Sequence, residues 1–204
     1  KGVIWYQGEA NVGRSEQYGD LFPALITDWR RQWRSDFPFY FVQLANFMES
    51  KKIQPDSEWA ALREAQTKAL KLDQVGMAVT IDIGLADDIH PKNKQEVGRR
   101  LALVALAGSY GKNVSSSAPV FQNYIIKGNK MELDFGQKQD GFQIKGTTVK
   151  GFTIAGPDRV FYPAEAMVHD GKIILSSTEV PAPLSARYGW ADNPDCNLYG
   201  ENGL

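Results

Sequence analysis

Val3-Ile4-Trp5-Tyr6-Gln7-Gly8-Glu9-Ala10-Asn11 reads as a short apolar strand over 3–6 that runs into a polar, turn-forming segment. A helix is predicted next over 16–34, capped by Ser15, because Tyr18, Leu21, Phe22, Leu25, Ile26, Trp29 and Trp33 recur three and four residues apart. Pro23 falls inside that pattern, so the first turn is expected to be separate or kinked. The same rhythm then repeats. Residues 39–44 are β-branched and aromatic enough for a buried strand. Residues 57–72 carry Trp59, Leu62, Ala65 and Ala69 on one helical face. A strand over 75–83 ends at Gly84, and a helix over 93–110 is stopped by Gly111. Alternating strands and helices imply a parallel sheet covered by helices.

After Asn113-Val114-Ser115-Ser116-Ser117 the rhythm changes. Strand-like runs lie at 120–126, 130–135, 148–155, 159–162, 165–169, 172–176 and 185–190. Turn signals separate them at Gly128-Asn129, Asp140-Gly141, Gly156-Pro157-Asp158 and Asp170-Gly171. The expected fold class is α/β, with a parallel-sheet segment over 1–113 followed by a β-rich, sandwich-like module over 118–204.

Composition narrows the function. With 43% of 204 residues apolar, the chain can build a core, which excludes general disorder. The balance of 23 Lys+Arg against 24 Asp+Glu argues against a nucleic-acid partner or a polybasic membrane surface. The longest apolar run, 101–107, is far short of the roughly 20 residues a membrane-spanning helix needs, so no membrane insertion is expected. A single cysteine, Cys196, excludes an internal disulfide and a Cys-rich zinc site. His90 and His169 alone leave little material for a transition-metal centre, and no metal or cofactor is expected. The chain enters its first strand with no initiator Met and no signal peptide, and is expected to be a piece of a longer protein.

Ligands of open α/β sheets bind beyond the carboxyl ends of the strands. Two polar clusters fall there: Gln7-Gly8-Glu9-Ala10-Asn11 and Asp87-Asp88-Ile89-His90-Pro91. In a loop, residues three apart can bring the Asp87 carboxylate to Nδ1 of His90, fixing the tautomer and leaving Nε2 as a general base. Pro91 keeps His90 extended and out of the following helix. The alternative is a solvated acidic loop with an incidental histidine. In the first cluster, the Gly8 amide with the Gln7 or Asn11 side chain can donate to a developing oxyanion. Equally, Gly8 can serve a tight turn and Glu9 a helix start. Ser109, at a helix end rather than a strand-to-helix turn, reads as structural, His169 as a surface strand end, and Arg30, Arg31 and Arg34 as a solvated helix face.

Ile4-Trp5-Tyr6-Gln7-Gly8-Glu9-Ala10-Asn11, Asp28-Trp29-Arg30, Trp59-x-x-Leu62-Arg63-Glu64-Ala65-Gln66 and Asp87-Asp88-Ile89-His90-Pro91, in this order, resemble the sialate O-acetylesterase family of the SGNH hydrolases. Ala186-Arg187-Tyr188-Gly189-Trp190-Ala191 and Asn197-Leu198-Tyr199 resemble its bacterial members. The resemblance covers essentially the whole chain. It implies part of an SGNH, flavodoxin-like three-layer fold and hydrolysis of O-acetyl esters on sialic acid through a serine acyl-enzyme. His90 would be the base and Asp87 its orienter. Gln7, Gly8, Glu9 and Asn11 would belong to the block that supports the oxyanion hole. Arg63 and Gln66 match a pattern near the substrate cleft, the alternative being helix-surface charge and hydrogen bonding. In this family the serine stands in a Gly-Gln-Ser-Asn type block upstream of the Trp-Tyr-Gln-Gly-Glu segment. No such block occurs here, so the nucleophile is expected upstream and the fragment alone is expected to be inactive. Secretion or a periplasmic location is what the family implies. An acetyl-xylan or other carbohydrate acetylesterase is the alternative within the class, and a non-catalytic glycan-binding or structural module the alternative outside it.

Overall fold

The computed structural model describes residues 1–136 and 141–204; Asp140 of the expected Asp140-Gly141 turn lies outside them. The chain divides into two units, Lys1–Glu49 with Asp56–Ser117, and Ser50–Pro55 with Ala118–Leu204.

The first unit runs β1 (Val3–Trp5), a 3-10 turn (Glu9–Asn11), α1 (Ser15–Trp33), β2 (Phe39–Val42), α2 (Glu58–Thr67), a 3-10 turn (Lys68–Lys71), β3 (Val75–Ala78) and α3 (Lys94–Gly108). The strands are parallel, in the order β1-β2-β3. All four residues of β2 are buried, as a central strand covered on both faces requires. Phe39 and Phe41 join Tyr18, Phe22, Ile26, Leu62 and Ala65 of α1 and α2 in one core. Tyr40, between them, faces the other way, and its Oη is 2.7 Å from Ser109 Oγ at the end of α3. Helices therefore cover both faces. Gly76 permits the approach of α3, since a Cβ there would collide with Val104 Cγ1.

Helix ends depart from expectation in instructive ways. The N-cap of α1 is Arg14, without a side-chain cap, and Ser15 is already helical. Pro23 neither separates nor ends α1, which is one continuous helix. Tyr18, Phe22 and Ile26 enter the same core on both sides of the proline, and that burial outweighs the roughly 3 kcal/mol an interior proline costs. Ser57 caps α2, its Oγ accepting from Ala60 N at 2.9 Å. Asn93 caps α3 the same way through Glu96 N. Trp33 is 67% exposed and stacks on Trp29 instead of entering the core. Arg30 is no solvated side chain, because its guanidinium donates to the carbonyls of Phe37 and Asp73.

The second unit contains β4 (Asn123–Lys127), β5 (Lys130–Asp134), β6 (Phe142–Ile144), β7 (Phe152–Ala155), β8 (Phe161–Pro163), β9 (Glu165–His169), β10 (Lys172–Ser176), β11 (Ser185–Tyr188) and β12 (Leu198–Gly200). An antiparallel sheet β4-β5-β10-β9 and a sheet β11-β7-β8 share a core of Met131, Leu133, Phe152, Ile154, Ile173 and Leu175. β6 pairs with β12; three residues each, they are too short to show alternation in the sequence. Asp170 and Gly171, both at positive φ, close the β9–β10 hairpin with His169 opposite Lys172. Ser50–Pro55, between β2 and α2 in the chain, is held in this unit by side chains of residues 187–192. Gln54 donates to the Asp192 carboxylate, and the Pro55 carbonyl accepts from Arg187 Nη1 at 3.2 Å and Trp190 Nε1 at 3.0 Å.

Candidate active site

The chain leaves β1, β2 and β3 at neighbouring carboxyl ends, and polar residues join the three exits. Gly8, buried at φ 155, is where β1 turns, and a Cβ there would lie 3.2 Å from Gln66 Nε2. Gln66 is 1% exposed. Its Nε2 donates to the Gln7 carbonyl at 3.2 Å and its Oε1 accepts from Leu44 N at 2.9 Å, tying the exits of β1 and β2. Arg63 is buried as well, and its carbonyl accepts from Gln43 Nε2 at 2.9 Å. Both side chains are buried rather than on the helix surface. Gln66 acts on the backbone that shapes the site.

Gln7 is engaged on both ends of its side chain. Nε2 donates to Asn11 Oδ1 at 2.7 Å, and the Tyr18 hydroxyl lies 3.2 Å from both Gln7 Oε1 and the Gln7 carbonyl. Asn11 Nδ2 is left without a hydrogen-bond acceptor among the described residues. Tyr6 reaches the Thr80 hydroxyl beyond β3. Burial first, and then the Glu9 charge, push its phenol up to about 12, so it stays a neutral donor at ordinary pH. Thr80 in turn donates to the Gln43 carbonyl at 2.7 Å.

The segment from Val79 to Pro91 carries the acid–histidine cluster. Gly84 N donates to Asn46 Oδ1 at 2.6 Å, and Leu85 forms a parallel bridge with Phe47. Side chains at Gly84 are excluded by the Asn46 carbonyl. His90 ends the segment with its imidazole 85% exposed. The carboxylate beside it is that of Asp88: Oδ1 accepts from His90 N at 2.9 Å and lies 3.5 Å from His90 Nδ1. The His90 amide, more than the nearby His90 and Lys92 charges, holds Asp88 below the usual carboxylate range. Asp87 is exposed and makes no hydrogen bond or ion pair among the described residues. The physical reason is local: a carboxylate two residues before an amide closes an Asx turn, which draws Asp88 to the histidine.

Arg100 of α3 anchors the start of this segment, a contact invisible in the sequence. Only the Glu96/Arg100 spacing of four was there to read, and that alone signals a surface pair. Ser109 is at the C-cap of α3 beside Tyr40, and His169 is exposed at the end of β9. The buried Gly8 turn with its Gln7–Asn11 pair after β1, and a solvent-facing imidazole after β3, are the kinds of groups that polarise a carbonyl and move a proton.

Residues 1–107 match the family model described as carbohydrate esterase, sialic acid-specific acetylesterase. The sialate O-acetylesterase of Homo sapiens is 37% identical over 175 residues, covering 76% of this chain and 33% of that protein. That of Mus musculus is 39% identical over 140 residues, covering 59% of this chain and 26% of that protein. The crystal structure of a carbohydrate acetylesterase from Xanthomonas citri superposes with a TM-score of 0.92 at 44% identity, covering all of this chain and 48% of that one. The chain thus spans about a third of the length of the human relative and about half of the solved structure.

Proposed function

Because the chain belongs to the carbohydrate esterase family of sialic acid-specific acetylesterases, we propose that it supplies the base-bearing part of an enzyme that hydrolyses O-acetyl esters on sialic acids. What supports the reading is that the Gln7-Gly8-Asn11 cluster follows β1 and the segment with exposed His90 follows β3, two strands of one parallel sheet whose carboxyl ends point the same way. The nucleophile is a serine outside these 204 residues, so the chain alone does not turn over. β1 pairs only with β2 among the described residues, which leaves its other edge open to an additional strand, and Ile4, 72% exposed, leaves its face open to a covering helix.

In this mechanism the serine Oγ attacks the acetyl carbonyl while His90 Nε2 accepts its proton. The tetrahedral oxyanion is held by the Gly8 amide and Asn11 Nδ2. Its collapse expels the sugar hydroxyl, which takes the proton from His90. Water, deprotonated by His90, then releases acetate and regenerates the serine. The orienting carboxylate comes from the Asp87-Asp88 pair: the three-residue spacing favours Asp87, and the 3.5 Å approach to Nδ1 favours Asp88. Acetylated xylan is the competing substrate.

Acetate release from 9-O-acetylated sialic acid and from acetylated xylan tests the proposal, with the chain alone and with its upstream segment restored. Turnover only in the restored protein, preferring the sialic acid, and a loss of ~10³-fold or more in His90→Ala is the expected result. Activity of the short chain, or full activity of His90→Ala, overturns it. Asp87→Asn and Asp88→Asn, made separately, identify the orienter by which one lowers kcat.

A further inference from the structure

We propose that Arg100, on α3, is a positioning residue that sets the course of the segment carrying His90. The inference rests on the reading of His90 as the base.

Between β3 and α3 the chain has no helix or sheet ladder to define it, apart from the Leu85 bridge. Its beginning is instead held by the Thr80 hydroxyl on the Gln43 carbonyl and by one guanidinium. Arg100 Nη1 donates to the Val79 carbonyl at 2.8 Å and to Asp82 Oδ1 at 2.6 Å, while Nη2 donates to Asp82 Oδ2 at 2.9 Å. Nε is occupied by Glu96 Oε1 at 2.8 Å. The Arg100 and Asp82 side chains are 7% and 9% exposed. A buried ion pair contributes little net stability, because desolvation offsets attraction. What a bidentate fork supplies is direction: a planar group with four bonds permits one arrangement of the backbone it grips. Asp82 is followed immediately by the Gly84–Asn46 and Leu85–Phe47 anchors, so Arg100 fixes the first of the supports that lead to His90. Glu96, held at about 2 chiefly by its hydrogen bond from Arg99, remains ionised and keeps the Nε edge of Arg100 engaged while its Nη atoms grip the segment.

The test uses the full-length protein with Arg100→Met, Arg100→Lys, Asp82→Asn and Arg99→Ala. Arg99 shares Glu96 but bonds nothing in the segment. Two readouts are taken: kcat and KM for acetyl-ester hydrolysis, and amide hydrogen exchange resolved to residues 79–90. Arg100→Met and Asp82→Asn are expected to lower kcat by ~10²-fold, as misplacing a reacting group by about an ångström does, with KM nearly unchanged. Exchange is expected to accelerate within 79–90 but not in β2 or α1, Arg100→Lys to recover part of the loss, and Arg99→Ala to behave as wild type. Unchanged kcat in Asp82→Asn, or faster exchange throughout the domain, overturns the positioning role. Full activity in His90→Ala overturns the base reading on which it rests, and the exchange data still report whether Arg100 holds the segment.

Discussion

Gln66 illustrates how one buried amide can shape a site without facing a ligand. Its removal as Gln66→Leu leaves Leu44 N unsatisfied in the interior and leaves the Gln7 carbonyl with the Tyr18 hydroxyl alone. A loss of ~1–3 kcal/mol is expected in urea unfolding, and a value near zero would remove its structural role. Glu96 gives a pH signature. Its folded pKa, lowered from 4.5 to about 2, lies below the unfolded value, so its contribution is fully present above 4.5 and is lost as pH falls through about 2. Stability measured across that interval should fall more steeply for the wild type than for Glu96→Gln; parallel curves would refute the assignment. Of these residues, the sequence marked His90, Gly8 and Gln66 by type and spacing. It could not show that Asp88 lies nearer His90 than Asp87 does, because a turn of two residues and a pattern of three compete within the same stretch.

At the scale of elements, apolar periodicity located α1, α2, α3 and the three parallel strands, since each buries one face or two. It failed where an element's limits depend on a neighbour. β3 stops at Ala78, not near 83, because the Thr80 hydroxyl and the Arg100 guanidinium engage the segment beyond it. α3 comes close to the sheet over Gly76, where Val104 and Tyr40 occupy the space a side chain would need. Gly76→Ala is therefore expected to cost ~1–3 kcal/mol by overpacking, and Val104→Ala in the same chain to recover part of it; an unchanged Tm for Gly76→Ala would contradict the packing.

For the whole molecule, the Ser-rich stretch after Asn113 marked a change of architecture, but not the excursion of Ser50–Pro55 into the β-rich unit. That segment is secured by Trp190, by Asp192, and by an Arg187 guanidinium 3.9 Å from the Phe161 ring and 4.4 Å from the Trp190 ring. Trp190→Ala should loosen the backbone around the already exposed Lys51 and Lys52, speeding tryptic cleavage there roughly tenfold; an unaltered rate, read by mass spectrometry, would show that the segment is held by something else. Local pattern by itself determined the α/β class, the β-rich second half, the family and the polar stretches beyond β1 and β3, because periodicity, turn residues and short motifs are properties of neighbours in the chain. Tertiary structure alone decided which side chains hold those stretches, namely Gln66, Thr80, Asn46 and Arg100. Their partners are 18 to 59 residues away in sequence, and no local pattern encodes a hydrogen bond across that distance.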